Sequence, residues 1–238
     1  MKRFNCLFLL LFCFSWSVTQ AQEHSLPKGF TTGDIVWIVR AGANLNNVSG
    51  SGVEDVKASV ADTKGYIDFN STLGGAISGG LYSPLGASSF YFGMNIGIGM
   101  RGYKTIAKWQ GNSNSLNTQK VRLTAFNAQI SPLNIGYIFK LSENSALDFH
   151  LGTFFSCDFA GSFKTVEEYS DDSTKDYSLN INDDKDYEKY DVGIVGGIGL
   201  WYNHWLVDLN YQRGIAPMEK GGMDLFSNVF QLSVGYAF

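Results

Sequence analysis

The sequence predicts an all-β fold: an eight-stranded antiparallel transmembrane β-barrel, up-and-down, with short periplasmic turns and long extracellular loops. Three observations predict it. Segments of about ten residues alternate apolar side chains with polar ones or glycine at a period of two. Their polar faces carry Gly, Asn, Gln, Asp and Arg, too small and hydrophilic to fill the core between two packed sheets, so the apolar face is the outer one. The connections between segments alternate long and short, as in barrels whose loops lie outside the cell and whose turns lie in the periplasm.

Composition narrows the classes further. The chain has 238 residues, 27 Gly, only 4 Pro, 15% aromatic residues and a net charge of −4. That is too apolar and aromatic for a disordered chain, and the mild acidity excludes a nucleic-acid binder held by phosphate contacts.

The first 21 residues read as a secretory signal peptide. Lys2 and Arg3 supply a positive start, Cys6 to Val18 is almost unbroken apolar sequence, and small residues at Thr19 and Ala21 set cleavage before Gln22. Residues 22–34 then form a short periplasmic segment, and 35–238 the barrel domain. Losing the leader takes the charge from −4 to −6 and leaves Cys157 as the single cysteine. An exported chain with one cysteine has neither a disulfide framework nor a CxxC metal site.

The strands follow in order. Residues 35–46 turn Ile35, Trp37, Val39 and Leu45 outward and Arg40, Asn44 and Asn46 inward. A weaker pattern spans 72–82. Over 90–101, Phe90, Phe92, Met94, Ile96, Ile98 and Met100 face one way; Tyr91, Gly93, Asn95, Gly97, Gly99 and Arg101 face the other. Residues 121–140 change phase near Pro132, which predicts a bulge there, since proline cannot donate to a ladder. Residues 146–160 set Leu147, Phe149, Leu151, Phe155 and Phe159 against Asp148, His150, Ser156 and Asp158. The strand over 190–202 is rich in glycine. Residues 204–213 set Trp205, Val207, Leu209 and Tyr211 against Asp208, Asn210 and Gln212, and the last strand sets Phe230, Leu232, Val234, Tyr236 and Phe238 against Gln231 and Ser233.

Long connections are expected at 47–71, 103–119, 161–189 and 214–226, and short ones at 83–87, 142–145 and Asn203-His204. Aromatics at the strand ends predict two interfacial girdles: Trp37, Tyr82, Phe90, Tyr137, Trp201, Tyr202, Trp205, Tyr236 and Phe238 on the periplasmic side, and Tyr103, Phe126, Phe159, Phe163, Tyr190, Tyr211 and Phe226 on the other. The terminal Phe238 also suits the signal by which barrels are handed to the barrel assembly machinery.

The stretches Val39-Arg40-Ala41-Gly42-Ala43-Asn44-Leu45, Ser131-Pro132-Leu133-Asn134-Ile135-Gly136-Tyr137, Tyr190-Asp191-Val192-Gly193-Ile194-Val195-Gly196-Gly197-Ile198-Gly199 and Phe230-Gln231-Leu232-Ser233-Val234-Gly235-Tyr236-Ala237-Phe238 carry a resemblance. In their order and spacing the chain resembles the PorT-like outer-membrane β-barrel proteins of Bacteroidetes-type bacteria, from about residue 35 to the end, loops apart. The third strand departs from that pattern through Gly93, Gly97 and Gly99. The resemblance implies a bacterial outer-membrane barrel. It also implies a tie to type IX-like protein secretion, which the family's name-giving member serves.

Two sets of residues are candidates for function. Arg40, Arg101, Asp148, His150, Asp158 and Asp208 point inward; in a barrel this narrow they are expected to form a mutually paired polar plug, the alternative being a conduction path. Gly93, Gly97, Gly99, Gly193, Gly197 and Gly199 would make room for them. The third long loop holds Glu167, Glu168, Asp171, Asp172, Asp183, Asp184 and Asp186; residues 167–191 carry ten acids against three bases, a local charge of −7. A solvated surface reading suits this loop, with lipopolysaccharide bridging through divalent ions or a basic partner as alternatives. The glycine and spacing of an EF-hand are missing.

No catalytic, cofactor or metal residues are assigned. The chain lacks a G-x-S-x-G elbow, and His150 is followed by Leu151-Gly152-Thr153 rather than by the serine of a His-x-Ser lipid hydrolase. The expected function is therefore a non-enzymatic structural or interaction component tied to secretion. A small-solute channel and a lipid-modifying enzyme are the alternatives. Expected partners are outer-membrane lipid and lipopolysaccharide, the assembly machinery and secretion-system proteins, and no nucleic acid.

Overall fold

The computed structural model describes residues 30, 33–85, 88–109, 116–220 and 223–238. The expected leader, 1–21, and most of the 22–34 segment lie outside them. The elements are β1 (Val36–Ser49), α1 (Ser51–Asp62), β2 (Gly65–Pro84), β3 (Phe90–Trp109), β4 (Leu116–Lys140), β5 (Ser145–Tyr169), β6 (Thr174–Asn180), β7 (Tyr190–Tyr202), β8 (Trp205–Gly214) and β9 (Phe226–Ala237). Each barrel strand pairs antiparallel with the next, and β1 closes on β9 through a register running from Ile38↔Ala237 to Ser49↔Phe226. Eight strands thus form a closed antiparallel barrel; β6 is extra and pairs only with the upper end of β5, over Ser162–Glu168.

The alternation decides which face meets lipid. Phe92, Met94, Ile96 and Ile98 of β3, Leu151 and Phe155 of β5, Val207 and Leu209 of β8, and Phe230, Leu232 and Val234 of β9 are all exposed on the outside. Ten residues of β3 separate Phe90, opposite Tyr137, from Met100, opposite Phe126. At about 3.4 Å per residue and a tilt near 40°, that is about 26 Å of height, the thickness of an outer-membrane apolar belt.

The bulge lies where proline placed it. The β4–β5 register breaks between Ile130 and Asn134, and Ser131 and Asn134 are both buried while Leu133 is exposed. Two residues without inward side chains restore the inside-outside order on the far side. The Asn203-His204 turn is tight, with Tyr202 opposite Trp205 and Asn203 at φ 52°.

Three expectations need correction. Strand reaches deep into three of the four long connections: β2 begins at Gly65, β3 runs to Trp109, β4 starts at Leu116 and β5 continues to Tyr169. On the β2–β6 side the sheet therefore stands well above the apolar belt, while β7, β8, β9 and β1 end near it. The first connection also contains a helix, α1, whose Val53 is buried against the barrel top. Gly50, at φ 134°, lets the chain turn into it; a Cβ there would collide with the Asp224 carbonyl oxygen.

The third correction concerns the girdles. Trp37, Phe90, Tyr137, Tyr202, Trp205 and Phe238 are exposed at one rim, and Phe126, Phe159, Tyr190 and Tyr211 at the other. Tyr82, Tyr103 and Trp201 instead point inward and are buried, and Phe163 packs on the interior cluster with Tyr103. They sit on the inward phase of their strands, and phase outranks position near an end. Tyr236 keeps the outward phase but is covered by Trp205 and Phe238, with ring centroids at 5.1 and 5.2 Å.

Candidate functional site

The barrel interior is built in three layers. At the periplasmic end Val36, Ile38, Tyr82, Tyr91, Ile138, Ala146, Trp201, Leu206 and Ala237 form an apolar cork, with Phe30 packed on it. At the extracellular end a second cork gathers Val48, Val53, Tyr103, Leu123, Ala125, Ile181, Tyr187, Met218 and Leu225 from strands, helix and loops. Between them lies a polar layer that holds all six of the inward charged residues read from the sequence.

Those six fall into two clusters. In the upper one, the Arg101 guanidinium donates from Nε to both Asp158 oxygens at 2.9 and 3.0 Å and from Nη2 to Asp158 Oδ2 at 2.8 Å. Its Nη1 donates to Asp191 Oδ2 at 2.7 Å. The Tyr187 hydroxyl donates to Asp158, and the Ser227 hydroxyl to Asp191 at 2.5 Å. Asp158 is 1% exposed and Arg101 5%. A guanidinium is the cation for this place, because its planar fork serves two carboxylates at once.

In the lower cluster Arg40 meets Asp208 at 3.4 Å and donates to the Tyr82 hydroxyl at 3.2 Å and to Asn95. Asp148 accepts from the Tyr91 hydroxyl at 2.8 Å and from Trp201 Nε1 at 3.4 Å. His150 stands between two carboxylates, with Nδ1 3.8 Å from Asp148 and Nε2 3.8 Å from Asp208. One arginine faces two aspartates in each cluster, so a proton on His150 would neutralise the lower one. Each buried charge has an opposite charge or a donor beside it, which a low-dielectric interior demands.

Glycines make the layer fit. Gly197 lies under the His150 ring, where a Cβ would stand 2.6 Å from Nε2, and Gly136 lies beneath the Tyr91 ring. Gly136→Ala is expected to expel that ring from Asp148 and to destabilise the barrel by about 1–3 kcal/mol, read as a lower urea midpoint for the heat-modifiable gel band.

Between the clusters lies a cavity of about 80 Å³, lined by Arg40, Asn44, Asn46, His150, Asn210 and Gln231 among others. At roughly 10–15 Å³ per water centre it accommodates several waters, with the Asn44, Asn46 and Asn210 side-chain oxygens as acceptors.

The acidic residues read from the third connection do not converge. Glu167 and Glu168 lie on β5, where Gln119 donates to Glu167 at 3.1 Å and Lys120 pairs with Glu168. Asp171 and Asp172 make the β5–β6 turn, with the Ser173 N–H bound to the Asp171 carboxylate at 3.0 Å. Asp183, Asp184 and Asp186 follow β6, where Asp184 accepts from the Asp186 N–H at 2.9 Å. Among the described residues, no group of three or more His, Cys, Asp or Glu is arranged to hold a metal ion.

Asp191 falls at the end of the acidic stretch 167–191, yet it is 3% exposed under Arg101. It is an even number of residues before Gly193, Gly197 and Gly199, and that inward phase was the signal for it. Tyr82, Trp201 and Tyr187 also complete the site, the first two again by phase.

Across the cap, Tyr187 bridges Glu219. Partial burial, and then Asp184 and Asp186, raise the Glu219 carboxyl above the ordinary glutamate range. A carboxyl raised on folding contributes stability below its unfolded pKa and loses it as pH rises through the folded one. Glu219→Gln is therefore expected to slow amide exchange in 181–190 at neutral pH and to leave it unchanged at acid pH, after correction for intrinsic rates.

A family model described as "Outer membrane protein beta-barrel domain" matches residues 20–219. No curated protein matches the chain. Among solved structures, the major outer membrane protein of Thermus thermophilus is 13% identical, with 86% of this chain and 100% of that one covered and a TM-score of 0.41. OprG of Pseudomonas aeruginosa is 12% identical, with 88% and 98% covered and a TM-score of 0.38. Ail of Yersinia pestis, solved with the heparin analogue sucrose octasulfate, is 11% identical, with 86% and 99% covered and a TM-score of 0.37. Likenesses of this degree carry no argument about the site.

Proposed function

The chain belongs to the outer membrane protein β-barrel domain family and resides in the bacterial outer membrane, and from that premise we propose that it is a sealed, non-enzymatic barrel that presents its extracellular top to partner proteins. The observation that carries this reading is the three-layered lumen. Arg101 and Arg40 are held by aspartates, and an apolar cork closes each end. A solute path would have to displace Tyr82, Tyr91 and Trp201 below and Tyr103, Leu123 and Tyr187 above, at the cost of unpairing buried charges. The surface on offer is the wall raised by β2 to β6, with the acidic cap beside it. Secretion-system proteins are the partner class that the PorT-like resemblance implies.

Two measurements test this. Tagged protein drawn from its native outer membrane in mild detergent is expected to bring secretion-system components with it, and the reconstituted barrel to show no conductance steps in planar bilayers. Steady single-channel steps would replace the reading with a small-solute channel. Altered lipid A on incubation with the purified barrel would replace it with a lipid-modifying enzyme. Recovery of the barrel alone would remove the tie to secretion.

A further inference from the structure

The outer face of the raised wall carries a row of cations. Arg122 of β4 lies directly opposite Lys104 of β3 on one side and Lys164 of β5 on the other. Their chain neighbours Tyr103, Leu123 and Phe163 turn inward to the extracellular cork, so the three basic side chains turn outward. Arg122 and Lys164 are exposed and Lys104 is half-buried.

Like charges directly opposite each other in a ladder are destabilising unless a counter-charge serves them. Within the described residues none of the three has a hydrogen-bond or ion-pair partner. In the next outward row, Lys120 is taken by Glu168, and Asp68, diagonal to Lys104, receives the Tyr66 hydroxyl at 2.5 Å. The nearest acid across from Lys164 is Asp176, one row away on β6. Arg122, flanked by basic residues on both strands, has no such acid.

The height of the row identifies what meets it. It lies two rows above Met100 and Phe126, with Gly102, Thr124 and Ser162 between. Four residues are about 13 Å of strand, or about 10 Å of height at the tilt of a barrel strand, which is head-group level. Flexible Lys and Arg stems reach down from there towards the lipid surface. With strands about 4.8 Å apart, three charges span about 10 Å, the width of one head group.

The geometry points to a binding site for the phosphate-bearing head group of an outer-leaflet glycolipid, formed by Lys104, Arg122 and Lys164. The site stands apart from the lumen and is independent of the partner reading above. Its anion stabilises the row by removing the repulsion between the three cations, and it fixes the β3–β5 wall against the membrane surface.

The test uses the full barrel in detergent micelles, titrated with lipopolysaccharide carrying its lipid A phosphates, with the same material after dephosphorylation, and with inorganic phosphate. Tight binding is expected for the first alone. At about 1 kcal/mol for each basic residue at an anionic surface, Lys104→Gln, Arg122→Gln and Lys164→Gln should each weaken it about fivefold and the triple variant about a hundredfold. Lys108→Gln, on the same wall but outside the row, should leave it unchanged. The triple variant should fold at least as well without lipid, since it loses only like-charge contacts. Equal affinity for dephosphorylated material, wild-type affinity in the triple variant, or an equal loss with Lys108→Gln would each overturn the site. Saturation by millimolar inorganic phosphate in place of the lipid would assign the row to free anions instead.

Discussion

Arg101→Ala should cost the barrel about 3–5 kcal/mol, because it leaves Asp158 and Asp191 buried with no cation between them. The expected readout is a large fall in the urea midpoint at which the heat-modifiable band is lost from lipid vesicles. Arg101→Lys should recover only part of the loss, since an ammonium cannot serve both carboxylates through a planar fork. Adding Asp158→Asn and Asp191→Asn to Arg101→Ala should recover much of it, because the repelling charges then go. If the alanine variant unfolds with the wild-type protein, the upper cluster does not hold the barrel together.

Trp201→Ala is the second large effect. The indole is 0% exposed, meets Phe30 edge-on at 5.1 Å and Tyr82 at 6.2 Å, and donates to Asp148. Its loss opens a cavity and removes a donor from a buried carboxylate, for a combined cost of about 3–5 kcal/mol. Trp201→Phe should keep most of the packing and lose mainly the hydrogen bond. Neither variant should conduct in planar bilayers, because Tyr103, Leu123, Ile181 and Tyr187 still close the opposite end. Conductance in Trp201→Ala alone would mean that the extracellular cork does not seal.

The membrane-embedded part of this fold could be read from the chain because lipid forces a contrast between faces. Wherever Phe, Ile and Leu meet hydrocarbon and glycine or a charge meets the lumen, every second residue announces its side. Pro132 announced the phase change for the same reason: a missing N–H has a fixed consequence in a ladder. Above the belt the contrast fades. On β3 the outward face carries Lys104, Ile106 and Lys108 and the inward face Tyr103, Thr105 and Ala107, a mixture whose two faces differ too little in polarity for a period-two pattern, so the sequence predicts loop there. β6 is exposed along its whole length and has no burial pattern to read.

The site divides along the same line. The six charged lumen residues stand out because a charge on the part of a strand that crosses the apolar belt must face inward. The corks did not, since Tyr82 and Trp201 have the composition of girdle residues and only strict phase counting separates them from Trp37 and Tyr202. Asp191 was hidden by its acidic neighbours. The basic row is invisible along the chain, because Lys104, Arg122 and Lys164 become neighbours only through pairing.

The closing seam between β1 and β9 has a consequence for how the chain can be cut and rejoined. Every other seam of the ring joins consecutive barrel strands, β5 and β7 across the appended β6, whereas this one unites the first strand with the last, with the Phe238 N–H bound to the Trp37 carbonyl at 2.9 Å. Hairpins can therefore form in succession by short loop closures, leaving a single long-range step for last. Because the start of β1 and the end of β9 lie side by side, a short linker can join them and a new start can be opened at a hairpin tip without altering one ladder pair. The ring has a chain direction but no obligatory first strand, and a circular permutant should reach the same barrel with its slow step moved to a different seam.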